Sequence, residues 1–146
     1  MDTARFFGGA YTPPGETRTT TKKTIVIQGA CNIECCAYPE TDDELDYICK
    51  MAKQYSRTWR NPFGTAAWVH LILIRCQPFN DGNGRITRIV ASLPLLVHGF
   101  PPMTVLPAQR PDYHEALRAA ANGEYRPLIE CIIKGIQNTM KAVQCV

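Results

Sequence analysis

The sequence predicts an all-α, mainly helical domain carrying one small β-hairpin. Three observations lead there. Apolar residues recur at helical spacing, or run together, in several segments of helix length. Those segments are bounded by capping residues and by proline or glycine. Only residues 17–27 are dense in Thr, Ile and Val, the composition of an extended strand.

The elements follow in order. Residues 1–14 read as an irregular N-terminal segment, punctuated by Gly8-Gly9 and Pro13-Pro14. Residues 17–27 form one strand, Gln28-Gly29-Ala30-Cys31-Asn32 supply turn chemistry, and residues 33–38 return, so that about 17–38 make a hairpin or flap. Thr41 with Glu44 three residues on predicts a capping box. The helix it opens places Leu45, Ile48, Cys49 and Ala52 on one face and fades near Ser56. Asn61 caps the next helix, with Pro62 at its first position. Residues 63–76 are apolar nearly all round, which predicts a central, buried helix. A further helix starts at Asn83 or Gly84 and runs to about His98, with Pro94 inside it removing a hydrogen bond or kinking it. Helices over residues 111–121 and from Arg126 to about Lys141 complete the domain, the last with Leu128, Cys131, Ile132 and Ile136 inward. The domain is thus expected over residues 15–141, with a tail at 142–146.

Composition narrows the function. A chain of 146 residues, 45% hydrophobic and 20% charged, is an ordinary single globular domain. A net charge of +3 without a dense Lys/Arg run argues against a nucleic-acid footprint. The N-terminus has no continuous apolar core of a secretory signal, and the apolar stretches are interrupted by His70, Arg75, Pro94 and His98, so neither export nor membrane spanning is expected. Seven cysteines, without a CxxC pair or zinc-finger spacing, read as reduced thiols of a cytoplasmic protein, and weigh against a metal site at Cys31, Cys35 and Cys36.

The richest segment is Gln77-Pro78-Phe79-Asn80-Asp81-Gly82-Asn83-Gly84-Arg85-Ile86-Thr87-Arg88. Gly82 and Gly84 allow close backbone approach to a ligand, and their N–H groups with that of Asn83 fall at a helix N-terminus, which favours anions. The Asp81 carboxylate suits Mg²⁺ beside phosphate oxygens. Arg85 and Arg88, three apart, can grip outer phosphates. The plainer alternative is a helix-capping loop with Asp81 as cap and both arginines in water. Phe79 reads as a core anchor for the loop.

Residues 78–88 resemble the signature of the Fic (Fic/Doc, Fido) family, H-P-F-x-[D/E]-G-N-G-R-x-x-R. Gly15-Glu16-Thr17-Arg18 and the segment after it resemble the family's flap. Residues 66–74 resemble the helix before the motif, while 111–117 and 127–129 resemble its two C-terminal helices. The resemblance implies a Fic fold and transfer of AMP from Mg-ATP to a Ser, Thr or Tyr hydroxyl of a target protein. It implies Asp81 as the Mg²⁺ ligand, and Gly82, Asn83 and Gly84 as the anion hole. Arg85 would lie at the phosphates and leaving pyrophosphate, Arg88 at the γ-phosphate, and a target would lie along the flap.

One departure decides the chemistry. The family's base is His, and here it is Gln77, an amide without useful basicity. Binding of ATP with impaired transfer is therefore expected. A natural pseudoenzyme that only binds nucleotide or protein, an altered chemistry, and an introduced inactivating change are the accounts of Gln77. Removal of AMP by phosphodiester cleavage is a weaker alternative, because it generally uses the Glu of an inhibitory [S/T]-x-x-x-E-[G/N] helix, for which no match is found. Inhibition would then come from a partner chain, from a segment upstream, or not at all; self-association is a further expectation left open. His70 reads as a core histidine, His98 as a helix-end group, and Tyr113 as either a core residue or one near the nucleotide base.

Overall fold

The structure, a computed structural model, describes residues 14–25 and 33–144. Its helices are α1 (Arg18–Thr21), α2 (Thr41–Thr58), α3 (Pro62–Cys76), α4 (Asn83–Val97), α5 (Arg110–Ala121) and α6 (Arg126–Gln144), with 3₁₀ turns at Tyr38–Glu40 and Pro107–Gln109. The mainly helical class is as expected, and no strand occurs among the described residues. None of the helices is long and apolar enough to cross a membrane among those residues.

Helix α3 is the centre of the domain. It packs against α2, α4, α5 and α6, and nine of its residues are buried. Burying side chains such as Val69, Leu71 and Leu73 is worth about 1.5–3 kcal/mol each. Its start is fixed locally: the Asn61 side chain accepts from the Gly64 N–H at 3.0 Å, and Pro62 takes the first turn, where a missing N–H costs nothing. Helix α4 ends as glycine predicts. Gly99 is left-handed (φ +81°), its N–H bonds Leu96 O, and the Phe100 N–H bonds Leu95 O. Pro94 stays inside α4 and is buried there, at the cost of one helical hydrogen bond.

Three expectations need correction. Residues 18–21, read as strand, are a helical turn, and 22–25 and 33–37 carry no regular structure, while 26–32 lie outside the described residues. Tertiary contacts of Arg18, described below, override the β preference of this threonine-rich segment. Thr41 is not the cap of α2: a 3₁₀ turn precedes it, and its buried hydroxyl donates back to Ala37 O at 3.3 Å. The Asp42 N–H is instead met by Thr19 Oγ1 at 3.2 Å, from a distant segment. Cys49 faces solvent, while Ile48 is buried and Leu45 and Ala52 pack against the core. In α6, Leu128, Ile132 and Ile136 are buried as expected and Cys131 is half-buried; the helix continues through Gln144, into the stretch expected as tail. Cys36, Cys49, Cys76 and Cys131 carry free thiols; Cys31 and Cys145 lie outside the described residues.

Gly135 marks the tightest approach. A Cβ there would stand against the Thr104 carbonyl oxygen, a separation no real side chain tolerates. Gly135→Ala should therefore destabilise the fold by about 1–3 kcal/mol, although alanine is the better helix former, and a lower urea midpoint will register it.

Candidate active site

The site is built where α3 hands over to α4. Gln77 leaves α3 in the left-handed region (φ 46°, ψ 59°), with its N–H on Leu73 O at 2.9 Å. A non-glycine residue there costs of order 1–2 kcal/mol, so something must hold it. Arg18 does. Its side chain is 1% exposed and, among the described residues, is spent on carbonyls and the Cys36 sulfur rather than on a carboxylate. Nε donates to Gln77 O at 2.5 Å, and Nη2 donates to Cys76 O (2.8 Å) and Cys36 O (2.9 Å). Nη1 reaches Lys23 O at 3.2 Å. A cation on the last carbonyls of α3 also complements the helix dipole. The Arg18 N–H bonds Pro78 O at 2.8 Å, and Thr21 Oγ1 donates to Asn80 Oδ1 at 2.7 Å, so α1 sits on the motif loop.

The loop has its own brace. The Asn83 side chain accepts from the Phe79 N–H (2.9 Å) and donates to Phe79 O (2.6 Å). Its amide is thus occupied, and what Asn83 offers to a ligand is its backbone N–H. Gly82 is left-handed (φ +77°), a conformation that needs glycine. Neither the Asn83 nor the Gly84 N–H has an acceptor among the described residues, the condition of an open helix N-terminus.

Both guanidiniums lie back over this backbone. A Cβ built on Gly82 would be 3.4 Å from Arg85 Nη2, and one on Gly84 would be 3.6 Å from Arg88 Nη1. Arg85 is exposed and Arg88 half-buried. The Asp81 carboxylate is exposed and 4.0 Å from Arg85 Nη2, a contact too loose and too wet to hold either group. Gln77, Asp81, Gly82, Asn83, Gly84, Arg85 and Arg88, all seven candidates read from the sequence, line one open cleft of 430 Å³ together with Ile25 and Asn80. That volume is within the range of small-molecule sites. An isolated exposed carboxylate beside free N–H groups fits Mg²⁺ held jointly with phosphate oxygens; among the described residues no set of three His, Cys, Asp or Glu gathers to hold a metal alone.

No imidazole reaches the cleft from the described histidines' positions along its walls. His70 is fully buried, and its Nε2 pairs with Tyr113 OH at 2.7 Å. Burial foremost, then the positive charge of Arg88, pushes its pKa down to about 3, against an opposing contact with the Thr87 backbone. It is a neutral core histidine, and Tyr113, 8% exposed, is a core residue too. His98, at the end of α4, bonds Pro94 O through Nδ1 at 2.8 Å. Because the folded pKa of His70 lies below its ordinary 6.5, the unfolded chain holds one more proton between pH 6.5 and about 3. Stability should fall through that window by about 1.4 kcal/mol per pH unit. Urea unfolding at neutral pH and at about pH 4.5, compared with His70→Gln, should show the steeper loss in the parent.

Arg18 is the residue that sequence reasoning undervalued. It entered only as part of Gly15-Glu16-Thr17-Arg18, and a single arginine among threonines looks like a solvated strand residue. Its partners lie up to 59 residues away.

The profile of the Fic/DOC family matches residues 4–95, well over half the chain, and the chain belongs to that family. It is 37% identical over 82 residues to the protein adenylyltransferase Fic of Nematostella vectensis, covering 56% of this chain and 19% of that one. With the protein adenylyltransferase Fic of Drosophila persimilis it shares 34% over 80 residues, 55% of this chain and 16% of that one. The chain therefore spans less than a fifth of the length of these relatives. Among solved structures it is similar to Fic-1 of C. elegans, with a TM-score of 0.65 and 27% identity over 73% of this chain and 32% of that one. A Fic-domain signaling protein of Bacteroides thetaiotaomicron shares the fold, with a TM-score of 0.63 and 23% identity over 75% of this chain and 48% of that one.

Proposed function

We propose that the chain is a Fic-type protein adenylyltransferase domain that binds Mg-ATP in the cleft above α4 and is impaired in proton abstraction by Gln77. One observation supports this most: all seven candidate residues converge on a single cleft, with both guanidiniums folded over open backbone N–H groups. The N–H groups of Asn83 and Gly84, at the positive end of α4, take phosphate oxygens. Arg85, exposed and free to turn, contacts the phosphates and stabilises the leaving pyrophosphate. Arg88, half-buried and more restrained, meets the γ-phosphate. Asp81 would hold Mg²⁺, which would neutralise phosphate charge when bound. Gln77 orients the attacking Ser, Thr or Tyr hydroxyl but takes no proton from it. The target protein lies by main-chain pairing along the stretch that follows α1 and ends at Tyr38.

A second reading is a Fic pseudoenzyme that binds nucleotide or protein without transfer. It is favoured by the burial of His70, which keeps that imidazole out of the cleft. Calorimetric titration with Mg-ATP tests the shared premise. The parent should bind, Asp81→Ala should weaken binding and remove its Mg²⁺ dependence, and a parent that fails to bind overturns the transferase reading and the nucleotide-binding form of the second.

A further inference from the structure

We propose that Cys36 and Cys76 are a redox-active pair that peroxide converts to a disulfide, stapling the segment before the Tyr38–Glu40 turn to the end of α3. The backbones of the two segments run side by side, joined by the Cys36 N–H to Arg75 O bond at 3.0 Å. Cys36 Sγ donates to the Cys76 carbonyl at 3.3 Å. Both sulfurs converge on Thr41: Cys36 Sγ is 3.8 Å from its hydroxyl, and Cys76 Sγ is 3.8 Å from its carbonyl oxygen.

The two thiols are not equivalent. Cys36 is half-buried, stands 3.6 Å from Arg18 Nη2, and borders an open groove of about 800 Å³ through which a small oxidant can reach it. Cys76 is 1% exposed, and burial first, then the neighbouring Cys36, pushes its pKa up to about 12. Cys36 is therefore the thiol that reacts, and Cys76 the one that resolves.

The chemistry balances. The Cys36 thiolate attacks one oxygen of hydrogen peroxide, the O–O bond breaks, and the departing hydroxide takes up a proton as water. The Cys76 sulfur then attacks the Cys36 sulfenic sulfur. The S–S bond forms, the S–O bond breaks, and a second water leaves with the Cys76 proton. Two thiols lose two electrons in all, and one peroxide becomes two waters.

The test uses the full chain and hydrogen peroxide, followed by alkylation, proteolysis without reductant and fragment mass spectrometry. The parent should yield a peptide joining Cys36 to Cys76, lighter by two hydrogens and separated by dithiothreitol. Cys35→Ser should retain it and Cys36→Ser should abolish it. The closed ring should raise the thermal midpoint by roughly 5 °C. Over-oxidation of Cys36 without linkage, a link from Cys36 to Cys31 or Cys35, or a linked protein that melts below the reduced one would overturn the proposal. None of these readouts depends on nucleotide binding or transfer.

Discussion

Replacing Gln77 by histidine should raise adenylyl transfer from Mg-ATP to a target hydroxyl by about 10²–10⁴, the usual worth of a positioned general base. The backbone is already prepared for the change. Residue 77 sits in the left-handed region, where histidine is among the better tolerated side chains, and Arg18 grips its carbonyl whatever the side chain. Residue 77 already borders the cleft together with Asn83 and Gly84. Radiolabelled ATP and candidate target proteins give the measurement. Gln77→Asn is the control, because it accepts the same backbone but brings no base. A parent that labels targets as fast as Gln77→His would show that proton abstraction does not limit this site.

Arg18→Met should destabilise the protein by about 3 kcal/mol or more. The substitution keeps much of the aliphatic stem and deletes the guanidinium, which leaves the carbonyls of Lys23, Cys36, Cys76 and Gln77 without their donor. Hydrogen bonds from a charged group are worth about 1.5–3 kcal/mol each, and stranded buried acceptors carry the desolvation penalty as well. Arg18→Lys keeps the charge but not the planar fork, so it should fall between parent and Arg18→Met in urea unfolding. Equal stability for all three proteins would contradict the assigned role.

The contrast between Gln77 and Arg18 also explains what the chain reveals when read as letters. The helices α3 and α4 were legible because their signals are local: Asn61-Pro62 at one start, Gly99 at one end, and an unbroken apolar run between 63 and 76. The cleft was legible because its residues, Ile25 apart, lie within twelve positions of one another, and a loop entering a helix brings them together on its own. What escaped rests on contacts between distant segments. Arg18 meets Gln77 across 59 residues, His70 meets Tyr113 across 43, and Cys36 meets the Cys76 carbonyl across 40. The hairpin expectation failed in its described part for the same reason. Threonine-rich composition reports a local preference, and the buried guanidinium imposes a helical turn on it.

The carbonyls of Lys23 and Cys36 accept from the two terminal nitrogens of one guanidinium, which ties these two points of the chain to a common anchor. A loop lengthened between those two points stays tied at both ends to that guanidinium. Its entropic cost grows only slowly, by about 0.6 kcal/mol for each doubling of length. The cleft is fastened on the far side of the same arginine through the Gln77 carbonyl, so a change in that loop's length reaches it only by way of this one side chain.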